Sequence, residues 1–428
     1  MLDIKFILKN IDLVKNKLKN RFVNEDLLDK LIFLYKSKNQ FLQKIERIKY
    51  FKNQYSRQKT NKSLIKCNSE SILDSDGDIN YEANLKKLQI NLATIEEEVM
   101  NILNCLPNIP HESVPIGDSE LDNIEVYRSI IKPRHYDFVI KDHLQLGLSL
   151  NILDFQKASK IVGSKFVVLK GLGARLERSL INFMIDNHIS NKYFELIPPF
   201  IVNQKSMFAT GQLPKFAQDV FKLQSNKYEW YLNPTAEVPT INLHRQEILD
   251  IKRLPIKYVS YTTCFREEAG SSGKNTKGIW RQKQFNKVEL IQFVEPKTSY
   301  MVLEDMLKDA AVILDKLQLP YRIMLLSTGD LGFSMSKTYD IEVWLPSQQK
   351  YCEIASISNA EDFQARRANI KFKAHLQDKG KLVHTLNGSA LAIGRTMAAI
   401  LENYQNKDGS VNVPIVLQKY LSTDIIKN

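Results

Sequence analysis

Between Met1 and Pro107 the chain has no proline and a single glycine, Gly77. In a helix interior glycine costs about 1 kcal/mol and proline about 3 kcal/mol relative to alanine, so such a stretch permits long uninterrupted helices. A heptad seam reads Leu31, Leu34, Lys38, Phe41, Ile45, Ile48, Lys52 and Tyr55; a cleaner one reads Tyr81, Leu85, Leu88, Leu92, Ile95, Val99 and Ile102. Alternating steps of four and three put each set on one stripe of its helix, as in a coiled coil. The intervening residues Asn61 to Asn80 are polar and contain the turn-like Ser75-Asp76-Gly77-Asp78. The pattern therefore predicts an antiparallel helical hairpin, an arm over about residues 27–104. At ~1.5 Å per residue, a helix of about 30 residues extends roughly 45 Å.

The first arm helix and its tip carry Lys36, Lys38, Lys44, Arg47, Lys49, Lys52, Arg57, Lys59, Lys62 and Lys66. Such a row can lie along a nucleic-acid backbone. It can equally be a solvated helix face or a protein-binding coiled coil. The formal charge of +12 fits a polyanionic partner. A chain this rich in Lys, Asn and Ile also acquires charge from AT-rich coding, so the arm alone supports both readings.

Pro107 and Pro110 end the second helix, and a linker follows to residue 133. Residues 134–428 have a different texture, with short apolar runs, amphipathic helices and Gly/Pro punctuation. Lys165–Leu169, Tyr258–Tyr261, Val288–Val294 and Ile341–Trp344 read as strands, and Gly171–His188 as a helix. This predicts an α+β domain with a largely antiparallel sheet. Hydrophobic residues at 43% and charged residues at 25% suit a folded chain with a large core. No apolar run approaches the roughly 20 residues that span a bilayer, and Met1-Leu2-Asp3-Ile4-Lys5 lacks the order of a secretory signal. A cytoplasmic protein with no membrane partner is expected. Cys67, Cys105, Cys264 and Cys352 form no CxxC pair, which argues against a zinc ribbon or a disulfide framework. The seven histidines are scattered and predict structural rather than metal-ligating roles.

The segment Cys264–Leu290, CFREEAGSSGKNTKGIWRQKQFNKVEL, reads as strand, Gly/Ser/Lys-rich loop, strand. Arginine at such an edge offers phosphate a planar two-pronged fork, and Phe285 can stack on a base. Further on, Leu386-Asn387-Gly388-Ser389-Ala390-Leu391-Ala392-Ile393-Gly394-Arg395 runs into a helix expected over Thr396–Asn403. Small residues allow close approach to the backbone, and Arg395 adds charge where a helix start already favours anions. Neither a Walker A nor a Rossmann glycine pattern is present.

These two segments resemble motifs 2 and 3 of class II aminoacyl-tRNA synthetases. The bacterial-type seryl-tRNA synthetase family resembles the chain nearly end to end, through MLDIKFILKN, LPNIPHESVPIG, GARLERSLINFM, TGQLPKF, PTAEVP, TGDLGFSMSKTYDIEVWLP and SNAEDFQARRANIKF. The resemblance implies the class II antiparallel sheet flanked by helices, with an N-terminal coiled-coil arm that binds tRNA. It implies serine activation with ATP and Mg²⁺, transfer to tRNA(Ser) and tRNA(Sec), and a homodimer built through motif 1, near Gly173–His188 and the strand reaching Pro198-Pro199. Residue by residue, it implies Arg266 on the α-phosphate and the serine carboxylate, Glu268 on the adenine side with Phe285 stacked on the ring, and Arg395 on the γ-phosphate. Glu353 and Ser356 would ligate magnesium, and Glu267, Ile354 and Ala355 complete the ATP contacts. Thr235, Ala236, Glu237, Glu289 and Ser389 would form the serine pocket. The arm would grip the long variable arm of a tRNA bound to the other subunit.

The chain departs from the family pattern at Asn233, Trp280, Lys283 and Ala355, none of which removes a charge the chemistry needs. Three rivals compete: an inactive tRNA-binding paralogue, an amino-acid:carrier-protein ligase, and a coiled-coil protein with a degenerate head. The intact Arg266, Glu268, Glu289, Glu353 and Arg395 weigh against the first and third, and the arm against the second. Only about 25 residues follow motif 3, too few for the C-terminal anticodon-binding domain of the prolyl, threonyl and glycyl enzymes.

Overall fold

The computed structural model describes residues 1–60, 81–269, 278–375 and 377–428, without the side chains of 55–60. The turn expected at Ser75–Asp78, the basic residues Lys62 and Lys66, and the loop residues 270–277 lie outside this set. The chain forms two compact units, Leu2–Leu106 and Pro107–Asn428.

In the first unit, helix α1 (Ile4–Lys9) starts at Asp3, whose carboxylate accepts the Lys5 N–H at 2.8 Å. Helix α2 (Ile11–Lys19) follows, then α3 (Glu25–Thr60) and α4 (Tyr81–Cys105). Along the two long helices, Leu31, Leu34, Ile45, Val99 and Ile102 are buried, and the other apolar seam residues with described side chains are half-buried. Ion pairs Lys30–Glu98 (3.4 Å), Lys38–Glu96 (2.8 Å) and Lys52–Glu82 (2.8 Å) fix the antiparallel register. The polar seam positions Lys38 and Lys52 are thereby explained: each lays its stem along the apolar stripe and delivers its charge to a glutamate of α4. Exposed pairs of this kind add little stability, so the apolar stripe carries the packing.

The second unit is built on an eight-stranded sheet. Its strands are β1 (Ile124–Arg128), β2 (Phe194–Leu196), β3 (Ile256–Phe265), β4 (Gln284–Val294), β5 (Tyr321–Leu325), β6 (Lys337–Leu345), β7 (Lys350–Asn359) and β8 (His384–Ala392). They lie in the order β1-β5-β6-β7-β8-β4-β3-β2. Every pairing is antiparallel except β2 with β3. This is the antiparallel α+β architecture expected from the sequence. The strands foreseen at 258–261, 288–294 and 341–344 are cores of longer ones. At Lys165–Leu169 only Val168–Leu169 forms a strand, because Lys165 takes φ +64° and turns the chain before it. The strand expected to reach Pro198-Pro199 ends at Leu196, since proline has no N–H to give a sheet.

Helices α5 (Leu172–Ser190), α6 (Glu237–Asn242), α7 (Ser299–Lys316) and α8 (Ile393–Asn403) complete the parts that matter for the site. Strand alternation explains the layering. On β4, Val288, Leu290 and Val294 point into a core with Leu176, Leu180 and Met184 of α5 and Leu303 and Met306 of α7. On the opposite face, Phe285, Lys287 and Glu289 line an open cleft, and further along the same face Ile291 and Phe293 enter a second core with Ala236 and Ile241. The foreseen helix at 396–403 begins three residues earlier, so Arg395 sits in its first turn.

Candidate active site

The cleft over β4, β7 and β8 has a volume of about 430 Å³. Its walls come from alternate residues of neighbouring strands. β8 presents Asn387 and Ser389, and β7 presents Glu353, Ile354, Ser356 and Ser358. Glu353 and Ser356 are an odd number of positions apart, which in a regular strand puts them on opposite faces. A bulge resolves this: Ile341 pairs with Ala355 and the next residue, Glu342, pairs with Glu353, so Ile354 is an extra residue. Gly388 is required between Asn387 and Ser389 because an added Cβ would lie 2.9 Å from Ile357 Cγ1.

One end of the cleft is carboxylate-rich. Glu289, 1% exposed, accepts the Thr235 hydroxyl at 2.6 Å and the Glu237 N–H at 3.2 Å. Lys287 Nζ lies 3.0 Å from Glu289 Oε1 and donates to Thr235 Oγ1 at 2.9 Å. Glu237 accepts the Gln364 amide, and its pKa is pushed up to about 7, first by burial and then by the negative charge of Glu289. Asn387 lines the cleft, and its buried Oδ1 has no hydrogen-bond partner among the described residues. A small cation with a hydroxyl finds its complement here.

The other end is arginine-rich, lined by Arg266, Arg281 and Arg395. Arg266 leaves β3, its Nε donates to Pro234 O at 3.3 Å, and its guanidinium lies 5.5 Å from the centre of the Phe285 ring. Arg281 pairs with Glu268 at 3.1 Å. Glu268 takes φ +52°, a left-handed conformation that non-glycine residues adopt at a cost and that clusters at functional sites. Arg395 reaches Glu353 Oε1 at 3.0 Å and the Glu353 carbonyl at 2.8 Å. The Arg395 charge holds the Glu353 carboxyl below the usual carboxylate range. Behind it, Ser356 donates to Asp340 at 2.6 Å, and burial, with Glu353 nearby, pushes the Asp340 carboxyl well up. Glu353, Ser356 and Asp340 offer only oxygen donors, the set a hard divalent cation such as Mg²⁺ prefers.

The cleft thus gathers Thr235, Glu237, Arg266, Glu268, Phe285, Glu289, Glu353, Ile354, Ser356, Ser389 and Arg395 from five separated sequence segments. Ala236 and Ala355 are buried in the cores behind it, and Glu267 turns to Lys283 at 2.7 Å. Of the departures from the family pattern, Trp280 is buried at the cleft wall with its ring 5.6 Å from the Arg395 guanidinium, and Asn233 is fully buried. Reasoning from sequence gave no role to Lys287, Asp340, Asn387 or Arg281. Alternation from Phe285 and Glu289 was a sufficient signal for Lys287, which lies between them on the same face. The histidines are structural where they are buried: His143 is held by Glu402 at 2.8 Å, and burial lowers His188 to about 4.

Residues 1–110 match the seryl-tRNA synthetase N-terminal domain, and residues 219–404 match the class II tRNA synthetase core domain (G, H, P, S and T). The chain is 56% identical over 427 residues, 100% of both chains, to the serine–tRNA ligase of Aster yellows witches'-broom phytoplasma (strain AYWB). It is 50% identical over 428 residues, again 100% of both, to that of Thermodesulfovibrio yellowstonii. Among solved structures, the seryl-tRNA synthetase from Pyrococcus horikoshii complexed with ATP superposes with a TM-score of 0.87 at 34% identity, covering 100% of this chain and 99% of that one. The cytoplasmic serine–tRNA ligase from Naegleria fowleri in complex with AMP gives 0.86 at 29%, covering 98% and 96%. Sequence identity over the full length, both domain matches and the architecture agree: the chain belongs to the seryl-tRNA synthetase family.

Proposed function

We propose that the cleft joins L-serine to ATP as seryl-adenylate and then esterifies tRNA(Ser), making the chain a serine–tRNA ligase. One observation carries this reading: a carboxylate-rich end and a three-arginine end share one cleft, the charge pattern needed to hold an ammonium and a polyphosphate side by side. Adenylate formation is attack of a serine carboxylate oxygen on the α-phosphorus, with the bond to the pyrophosphate oxygen breaking and pyrophosphate leaving. Both reactants are anionic at the reacting atoms, so the site must neutralise and align them; no enzyme nucleophile is needed.

In this reading Arg266 spans the serine carboxylate and the α-phosphate, and Arg395 holds the γ-phosphate. Phe285 stacks on adenine, and Glu268, with Glu267, Ile354 and Ala355 nearby, borders the nucleotide. Thr235, Glu237, Glu289 and Ser389 enclose serine, with Ala236 packed in the core behind them. Glu353 and Ser356 are the residues that would hold Mg²⁺, which when bound supplies charge neutralisation between the phosphates. A pocket whose buried acceptors expect a hydroxyl rejects alanine, because those acceptors would be left unpaired.

We further propose that the arm binds the long variable arm of tRNA(Ser) and tRNA(Sec) as a coiled coil. A cytoplasmic homodimer formed through motif 1 completes the assignment. The dimer is supported by exposed apolar residues beside edge strand β2, with Phe194 67% and Ile197 75% exposed. No helix among the described residues is long and apolar enough to cross a membrane.

The test is ATP–pyrophosphate exchange with purified protein, Mg²⁺ and serine, threonine, alanine or glycine. Exchange with serine alone is expected. Absence of exchange with all four, alongside retained tRNA binding, would identify an inactive tRNA-binding paralogue instead.

A further inference from the structure

Lys287 is a buried cation for which the chemistry above has no use. Its side chain is 8% exposed, it sits on the cleft face of β4 two residues from Glu289, and its Nζ is shared between Glu289 Oε1 and Thr235 Oγ1. An ammonium has no acceptor capacity, so Thr235 must receive from Lys287 and donate its own proton to Glu289. The direction of the Thr235 hydroxyl is therefore fixed before any ligand arrives.

The charge balance leads to the same residue. Glu237 and Glu289 are 5% and 1% exposed and lie at the same end of the cleft. Buried carboxylates at one site disfavour each other's ionised form, and a cation beside them offsets that repulsion. Lys287 sets one positive charge against the two carboxylates, so when both are ionised one net negative charge remains, the complement of one amino-acid ammonium. Arg266, from the end of β3, is left free to meet the substrate's own carboxylate. The other titratable group packed here is Cys264 of β3, whose thiol burial pushes up and keeps neutral.

We propose that Lys287 is a positioning residue for amino-acid recognition: it orients Thr235 and places a positive charge 3.0 Å from the Glu289 carboxylate, setting the charge that meets the serine ammonium. This rests on the reading of Thr235, Glu237 and Glu289 as the serine pocket. Lys287 acts through these groups and does not itself touch the substrate.

The experiment compares the full-length protein with Lys287→Met and Lys287→Arg, by serine-dependent ATP–pyrophosphate exchange from about pH 6 to 9, with thermal melting as the folding check. Lys287→Met should raise KM for serine ~10-fold or more near pH 7 while changing KM for ATP less than ~2-fold. The acid limb of kcat/KM for serine should move up by about one pH unit or more, because the unpaired carboxylates hold their proton longer. Lys287→Arg keeps a cation and should leave that limb in place. A folded Met variant with serine KM within ~2-fold of wild type and an unmoved limb overturns the proposal. If the Met variant does not fold, Lys287→Gln, which can still donate to Thr235 but is uncharged, must show the same limb shift, and an unmoved limb there overturns it equally. Glu289→Gln tests the pocket separately: unchanged serine KM in that variant removes the pocket reading, whereas an effect there with none at Lys287 removes only the present proposal.

Discussion

Arg266 leaves β3 at the arginine-rich end of the cleft, and in the proposed reaction it is the residue that spans the serine carboxylate and the α-phosphate. Arg266→Ala is expected to lower serine-dependent ATP–pyrophosphate exchange by ~10²-fold or more, the scale of losing one preorganised charge at the reacting centre, with an unchanged circular dichroism spectrum. Exchange near the wild-type rate would remove Arg266 from the α-phosphate. Glu237 makes a different kind of prediction. Its raised pKa of about 7 means that the fold disfavours the ionised form. Between the unfolded carboxyl value near 4.5 and 7 the native state holds the extra proton, so the group's contribution to stability falls as pH rises through this window. Glu237→Gln should therefore melt higher than wild type at pH 8, with the gain vanishing toward pH 5, while its KM for serine rises. A variant that melts lower at pH 8 would contradict the burial argument. Arg266 and Arg395 were legible in the sequence from a strand edge and from small residues before a helix, whereas Glu289 and Glu353 were named only through the resemblance to the family. Asp340 and Asn387 were not legible, because their roles depend on which way a strand faces and on the absence of a partner, and both are decided by packing.

The helical hairpin was legible as α3 and α4 because heptad spacing and missing helix breakers act locally. The short α1 and α2 gave no comparable signal, since six and nine residues are too few for a convincing period. The hairpin also divides its basic residues by function in a way that a count of charges does not. Lys38 and Lys52 are committed to glutamates of α4, whereas Lys36, Lys44, Arg47 and Lys49 are exposed. Replacing Lys44, Arg47 and Lys49 by glutamate should leave serine-dependent exchange intact and lower kcat/KM for tRNA charging by ~10-fold or more, with a reduced dependence on salt. Unchanged charging would return the arm to the reading of a solvated or protein-binding helix. The strand expected at Lys165–Leu169 was overextended for a related reason: apolar residues mark where a strand is allowed, while φ at Lys165 delays its start to Val168.

The sheet brings together segments as distant in sequence as Thr235 and Arg395, and its edge strand β2 carries the apolar residues that the proposed homodimer would cover. Phe194→Asp with Ile197→Asp should shift the protein toward monomer in sedimentation velocity; a wild-type monomer at micromolar concentration would remove the dimer from the assignment. The bulge at Ile354 has a consequence for how such a chain can change over time. Along β7 the chemistry depends on the number of residues between Glu353 and Ser356, not only on their identity. Exchanging Ile354 or Ala355 for another small apolar residue alters a wall. Deleting either one removes the bulge: Glu353 and Ser356 then alternate regularly on one face, but the local bend and twist that the extra residue gives the strand, and with it the aim of Glu353, are lost. This short stretch should accordingly drift in spelling among descendants of the chain and hold its length unchanged.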